Sequence, residues 1–186
     1  MDPFSYLSVL LSIIIGLAIT QVLQGYRALL LNRRRVRLFF PPLAWSACLL
    51  LIAVQMWWSS FGLAGRSEWS FLAFFIILFQ TILLYVMAGL VLPDLPPDDT
   101  LDLRDHYLRE RLPFGATFAA IIVVSVIKNL MLDGGFSSWS EVLFHALFFG
   151  LAVVMMIARR VWVHHVLTAV ISASFVTYIA ILFARL

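Results

Sequence analysis

Six continuous apolar runs, each long enough to cross a bilayer as one helix, constrain this chain more than any other feature. They lie near residues 4–31, 43–63, 70–92, 114–132, 138–158 and 161–184. A hydrocarbon core of about 30 Å requires roughly 20 helical residues. The runs lack the alternation of apolar and polar residues that is typical of membrane barrels. The sequence therefore predicts an all-α polytopic membrane protein, with six transmembrane helices in one bundle and a single domain over residues 1–186.

The composition agrees with a membrane class and excludes others. Hydrophobic residues make up 63% of the chain and charged residues 12%, whereas soluble domains carry about 25% charged residues. The net charge of +3 comes from arginines between the apolar runs, an arrangement that sets membrane orientation rather than one that binds nucleic acid. Cys48 is the only cysteine, so neither a disulfide framework nor a cysteine-based metal site is expected.

The arginines predict how the chain is threaded, because short cytoplasmic loops carry the excess of basic residues. If the N-terminus is outside, the cytoplasmic connections hold nine arginines: Arg33, Arg34, Arg35, Arg37, Arg104, Arg109, Arg111, Arg159 and Arg160. The outer side then keeps Arg66 and Arg185. The first run has its basic residues after it and not before it, so we expect a retained span and not a cleaved signal peptide. We expect a bacterial-type cytoplasmic membrane with both termini outside.

Proline divides the runs. All seven prolines lie between the expected helices or at their ends, where they punctuate without kinking. The segment 93–113 is the longest connection, and its leucines predict a short amphipathic helix lying on the inner membrane surface.

Lys128, the only lysine, lies inside the fourth run. An ammonium within a membrane is costly unless it is paired. Asp133-Gly134-Gly135 predicts a tight turn after that run, and Glu141 follows the turn at nearly the depth of Lys128. We therefore expect a Lys128–Glu141 ion pair between the fourth and fifth helices. Asn129 and His145 are expected beside it, with His145 at the depth of Ser125.

Three alternatives stay open for these residues. Lys128 lies close enough to the outer boundary to extend its ammonium to the headgroups. Ser138 and Glu141 have the spacing of a capping box, which would use the carboxylate on its own helix. The charged residues also suit a direct ligand or proton-relay role.

Other polar residues fall at a similar outer depth and form a candidate vestibule. They are Gln55, Ser59 and Ser60 on the second run, Ser5, Ser8 and Ser12 on the first, and Thr177 and Tyr178 on the sixth. The alternative is that they join helices by hydrogen bonds, as such residues commonly do in membranes.

The first run has a clear period of four. Ser8, Ser12, Gly16, Thr20 and Gln24 form a stripe of small and polar residues, which predicts a helix-packing seam within the bundle or between copies. A pore lining is the alternative. Gly115 and Ala119 start a shorter stripe in the fourth run.

One acidic stretch suggests a metal. Asp98, Asp99 and Asp102 have a spacing that could hold Mg²⁺ against a diphosphate on a helix, but aspartates before a helix also serve as caps and offset its dipole. We expect the capping role. His145 and His164 fall at different depths, so a haem shared between them is not expected, and we expect no cofactor.

The sequence favours a small membrane protein that binds or passes a solute or ion through an outward-facing polar vestibule. We expect its partners to be the bilayer and either further copies of itself or the subunits of a membrane complex, with no nucleic acid. The alternative is a non-catalytic structural or assembly subunit. A membrane enzyme acting on lipid head groups is the third hypothesis.

Overall fold

The computed structural model describes residues 3–66, 69–94 and 100–182, and these are largely helical. Six helices are long and apolar enough to cross a membrane, which confirms the predicted helical class and the number of candidate spans. They are α1 (Pro3–Leu31), α2 (Phe40–Ser60), α3 (Phe71–Val91), α4 (Leu103–Asp133), α5 (Trp139–Ile157) and α6 (Val161–Leu182). A 3-10 turn, Phe61–Leu63, extends α2, and two short strands, β1 (Val36–Arg37) and β2 (Leu101–Asp102), lie between helices.

Local sequence signals explain where several helices begin and end. The Ser70 hydroxyl accepts a hydrogen bond from the Ala73 backbone N–H at 3.1 Å, so it caps one of the free donors at the start of α3. Pro41 and Pro42 lie in the first turn of α2, where a missing N–H costs nothing. Gly134 ends α4 with φ at 72°, a left-handed conformation that glycine adopts without a steric penalty.

The fourth helix differs from the prediction. It begins at Leu103 rather than near residue 114, and Pro113 lies inside it. The separate surface helix expected within 93–113 is therefore wrong over the described part, because that segment continues directly into the span. Pro113 has no N–H and removes one bond of the helical ladder. Buried side chains at Phe114 and Phe118 anchor the helix just beyond it, and such packing outweighs one lost bond.

The six helices close into a ring. The order around the ring is α1, α3, α4, α5, α6 and α2, and each helix contacts the next one, with α2 contacting α1. In addition, α2 contacts α3 and α4. Arg66 and Asp133 form an ion pair, so the α2–α3 and α4–α5 connections share one end, here called the hairpin end. At the other end β1 pairs in parallel with β2, which joins the α1–α2 and α3–α4 connections. We call this the arginine end.

The arginine half of the bundle is filled by large side chains. Trp45 is 1% exposed, and its ring meets the edges of Phe114 and Phe118 at centroid distances of 5.0 and 5.2 Å. Leu84 and Met87 of α3 are fully buried nearby in the same core. The described helices turn many other apolar side chains outward, as expected where lipid replaces water.

The stripe on α1 lies on the wrong face for packing inside the bundle. Ser12, Gly16, Thr20 and Gln24 are exposed and Ser8 is half-buried, whereas the core side of α1 carries leucine, isoleucine and valine. A Cβ added at Gly16 would meet nothing within 4 Å. The larger apolar residues of α1 bury more area and form its core side, while Ser12 of the stripe accepts a hydrogen bond from Trp57 of α2. A seam between copies remains a prediction.

Candidate solute-binding site

A cavity of about 360 Å³ lies within the bundle at the hairpin end, and all six helices contribute to its wall. Pockets for small ligands have volumes of roughly 300–1,000 Å³, so this one suits a small solute. Its polar wall consists of Gln55, Ser59, Ser60, Arg66, Gln80, Thr81, Ser125, Lys128, Asn129, Asp133, Ser137, Ser138, Glu141 and Tyr178. The structure thus brings together four of the five predicted pathway residues: Lys128, Glu141, Asn129 and Gln55.

The cavity ends near mid-depth. Its deepest residues on α3 are Gln80 and Thr81, and at 1.5 Å per residue they lie roughly 15 Å along the helix from Phe71. The next inward-facing residues of α3, Leu84 and Met87, belong to the packed core. The cavity is therefore a blind pocket whose floor is apolar.

Glu141 is held by two neutral donors. The Asn129 side-chain amide donates to Glu141 Oε1 at 2.6 Å, and the Ser137 backbone N–H donates to Oε2 at 3.0 Å. The Ser138 hydroxyl accepts from the Glu141 N–H at 3.3 Å. The capping box predicted from the spacing is thus present in a modified form, with the donor one residue before the cap. Glu141 therefore caps the start of its own helix and also joins that helix to α4.

Lys128 lies beside this arrangement without joining it. Its side chain is half-buried and lines the cavity, and Asp133 and Glu141 are close enough for their charges to act on it. Over the described residues, no carboxylate oxygen comes within 4.0 Å of its nitrogen. The expected direct Lys128–Glu141 ion pair does not form in this structure. Asn129, the next residue along α4, donates a hydrogen bond to Glu141 instead.

Two glutamines face the cavity with unused hydrogen-bonding groups. Gln80 is 7% exposed, and its side-chain amide bonds to no other residue in the part of the chain that the structure describes. Gln55 on α2 is half-buried and equally unpartnered there. A buried amide without a partner costs about 1–3 kcal/mol, so a ligand or ordered water is expected to use these groups. Sequence reasoning missed Gln80 and Thr81, although adjacent polar residues within a long apolar run are a usable signal.

The mouth of the cavity is fastened by one ion pair. Arg66 donates to Asp133 Oδ1 at 2.8 Å and to the Leu132 carbonyl at 2.7 Å. The bonds tie the α2–α3 connection to the end of α4. Both residues lie in segments that the sequence identified only as connections, so nothing in the spacing indicated this contact.

His145 lies behind the wall and does not line the cavity. Its Nδ1 is 2.8 Å from the Glu141 carbonyl and its Nε2 is 3.0 Å from the Ser125 hydroxyl. A carbonyl only accepts, so Nδ1 carries the proton, and in the neutral ring Nε2 accepts from Ser125. The predicted depth match between His145 and Ser125 is confirmed. The residue positions a hydroxyl that does line the cavity.

Part of the predicted vestibule lies elsewhere. Ser5, Ser8, Ser12 and Thr177 are absent from the cavity wall. Ser12 accepts a hydrogen bond from the Trp57 indole at 3.3 Å, and Thr177 donates to the Ala173 carbonyl of its own helix. These hydroxyls therefore have the joining or self-bonding role that was the alternative.

The acidic stretch is only partly described. Asp98 and Asp99 lie outside the described residues. Asp102 is extended and caps α4, since its Oδ1 accepts from the Arg104 N–H at 2.8 Å, and its other oxygen lies 4.0 Å from Arg37. The capping role predicted for this aspartate is confirmed. Over the described residues, no three side chains are grouped as metal ligands.

A second polar cluster lies buried toward the arginine end. His164 is 0% exposed. Its Nε2 donates to the Ala158 carbonyl at 3.1 Å, which leaves Nδ1 to accept from the Tyr107 phenol at 3.1 Å. The Trp45 indole N–H and the Thr168 hydroxyl are buried close to that phenol. This cluster joins α2, α4 and α6 beneath the cavity.

Comparison with protein-family models, with characterised proteins and with solved structures finds no match for this chain.

Proposed function

We propose that this protein binds a small solute or ion in the cavity at the hairpin end and carries it across a membrane. The observation that supports the proposal is a ligand-sized cavity that ends blind among six helices long and apolar enough to span a membrane. Gln55, Gln80 and Lys128 line it, and their side-chain polar groups bond to no residue in the part of the chain that the structure describes. Buried polar groups inside a membrane are costly and are typical of substrate or ion pathways.

The packed floor favours a carrier over an open pore. Trp45, Leu84 and Met87 fill the bundle below the cavity, so a bound solute has no continuous path to the arginine end. Passage then requires the helices to rearrange around the site, as in alternating access. The buried Tyr107–His164 cluster lies on that route, where entering water would hydrate its polar groups.

The arrangement of arginines supports a membrane orientation. The described arginines apart from Arg66 gather at or near the arginine end, and short cytoplasmic segments carry such an excess. We place the arginine end in the cytoplasm, the hairpin end and both termini outside, and the protein in a bacterial-type cytoplasmic membrane. The cavity then faces outward.

The test is uptake into proteoliposomes. Isotope-labelled alanine, acetate, methylammonium and glycerol represent a zwitterion, an anion, a cation and a neutral solute. At least one should enter faster than into protein-free vesicles, and Gln80→Leu, which removes an unsatisfied amide and narrows the cavity, should slow that entry. Tyr85→Phe, a change on an exposed face of the same helix, is the matched control. If no probe enters faster than into protein-free vesicles, the carrier proposal is wrong.

A second candidate function rests on the exposed stripe of α1. Ser12, Gly16, Thr20 and Gln24 would face lipid in an isolated copy, where a polar side chain is disfavoured. Small and polar stripes let helices approach closely. This favours a homo-oligomer or a structural subunit within a larger membrane complex. Mass measurement after purification in mild detergent separates the two, since a complex would retain foreign subunits.

A further inference from the structure

We infer that the cavity is built for a small zwitterion, a solute that carries an ammonium and a carboxylate together. The inference rests on the proposed solute-binding function and names the chemical class of the solute. Its basis is that Lys128 and Glu141 present opposite charges to one cavity from adjacent helices without forming an ion pair with each other. A ligand with both charges can bind both residues.

Glu141 supplies a fixed site for an ammonium. Asn129 and Ser137 each occupy one of its oxygens, so the carboxylate is held in one orientation. A carboxylate offers about four acceptor positions, and two of them remain for the ligand. Both donors are neutral, so the negative charge of Glu141 is not compensated by them.

Lys128 supplies the matching site for a carboxylate. Its ammonium has three N–H donors, and none is bonded to a residue in the described ranges 3–66, 69–94 and 100–182. Gln80 is the second feature that points to a ligand, because the residue is only 7% exposed, lines the cavity and has a side-chain amide that bonds to no residue in those ranges. Together they can hold one carboxylate through a charge and a neutral N–H.

The charge balance of the wall favours a zwitterion over a simple ion. Arg66 and Lys128 are balanced by Asp133 and Glu141, so the described wall carries no net formal charge. A bound anion or cation would leave a net charge inside the membrane, which is costly. A zwitterion leaves the balance at zero and satisfies both open charges.

The remaining wall restricts the rest of the solute. Leu11 and Ile15 of α1 and Ile77 of α3 line the cavity with aliphatic carbon. Burial of apolar area against these side chains is favourable, so a small aliphatic side chain is favoured here over a charged one. Short neutral α-amino acids combine these features.

The test compares three matched probes on the purified full chain in detergent: alanine, propionate and ethylammonium. Each is titrated by calorimetry and by its effect on the thermal midpoint. Alanine should bind at least tenfold more tightly than either singly charged analogue, since each lost charge-assisted contact is worth about 1.5–3 kcal/mol. Equal or tighter binding of propionate or ethylammonium overturns the inference and leaves the carrier proposal standing. If none of the three binds, the inference is wrong as well.

The variants assign each charge to one end of the ligand. Lys128→Gln should remove the advantage of alanine over ethylammonium, whereas Glu141→Gln should remove its advantage over propionate. Arg160→Gln removes one positive charge, as Lys128→Gln does, but from an exposed position at the arginine end. It should leave all three affinities unchanged. Lys128→Arg keeps the charge if Lys128→Gln fails to fold, and it should retain the preference for alanine. An unchanged preference for alanine in Lys128→Gln contradicts the assignment.

Discussion

Asn129 reaches across from α4 to α5 and donates a hydrogen bond of 2.6 Å to Glu141, the residue expected to pair with the neighbouring Lys128. This contact fixes the carboxylate and leaves the ammonium directed to the cavity. Because Asn129 and not Lys128 bonds to Glu141, the two charges do not neutralise each other and remain open to a solute.

A double-mutant cycle should therefore locate the coupling at Asn129. Asn129→Ala and Glu141→Gln are expected to show a coupling of about 0.6–1.7 kcal/mol, the range that double-mutant cycles give for polar contacts between membrane helices. Lys128→Met and Glu141→Gln should show a smaller coupling, because their charges act on each other across the cavity but no hydrogen bond joins them. Thermal midpoints in detergent measure both cycles. A larger coupling for the lysine cycle would show that the two charges pair in solution.

The buried phenol of Tyr107 should contribute to stability. Tyr107→Phe leaves His164 Nδ1 buried without its donor, and an unsatisfied buried group costs about 1–3 kcal/mol. Tyr85→Phe removes a hydroxyl that makes no hydrogen bond within the described chain, so its effect should lie within about 0.5 kcal/mol. Thermal unfolding of both variants checks the difference. Equal midpoints would mean that the Tyr107 bond contributes nothing.

Two glycines with different surroundings should respond in opposite ways to alanine. A Cβ at Gly115 would lie 2.6 Å from Met156 Cγ and 3.4 Å from the Ala152 carbonyl, so Gly115→Ala should cost about 1–3 kcal/mol through overpacking. Gly16→Ala meets open space and should stabilise α1 by up to about 1 kcal/mol. Loss of oligomers in Gly16→Ala, with the fold intact, would identify the α1 stripe as an interface between copies.

Asp102 should behave as a helix cap. Asparagine caps as well as aspartate, so Asp102→Asn is expected to change stability little, whereas Asp102→Ala should lose about 1 kcal/mol. Added Mg²⁺ should leave the midpoints of all three proteins unchanged. A Mg²⁺-dependent stabilisation lost in both variants would instead promote the metal hypothesis for Asp98, Asp99 and Asp102.

Labelling of single cysteines should test the orientation. In a Cys48→Ala background, Ala64→Cys lies at the hairpin end and Leu38→Cys at the arginine end, and both positions are exposed. A maleimide that cannot cross membranes should label Ala64→Cys on intact cells, and Leu38→Cys only after permeabilisation. The reverse pattern would invert the threading and make the cavity face the cytoplasm.

The six helices, most of their ends and the relative depth of Ser125 and His145 could be predicted from the amino-acid sequence. Length and apolar content define a span, and the fixed rise per residue sets depth, so the match between Ser125 and His145 was readable from spacing. The N-cap at Ser138 was also predictable, because capping depends on residues three positions apart along the chain.

Which side of each helix faces which neighbour could not be predicted from the sequence and is known from the folded bundle. Consecutive helical residues point about 100° apart, so Lys128 and Asn129 share a depth but not a direction, and packing of the whole bundle chooses between them. The same packing places the polar stripe of α1 on the outside of the bundle and keeps α4 helical through Pro113. It also brings Gln80 and Arg66 into the wall of one cavity. The spacing of residues along the chain sets how deep each side chain lies in the bundle. The direction in which a side chain points depends on the helices that pack against its own.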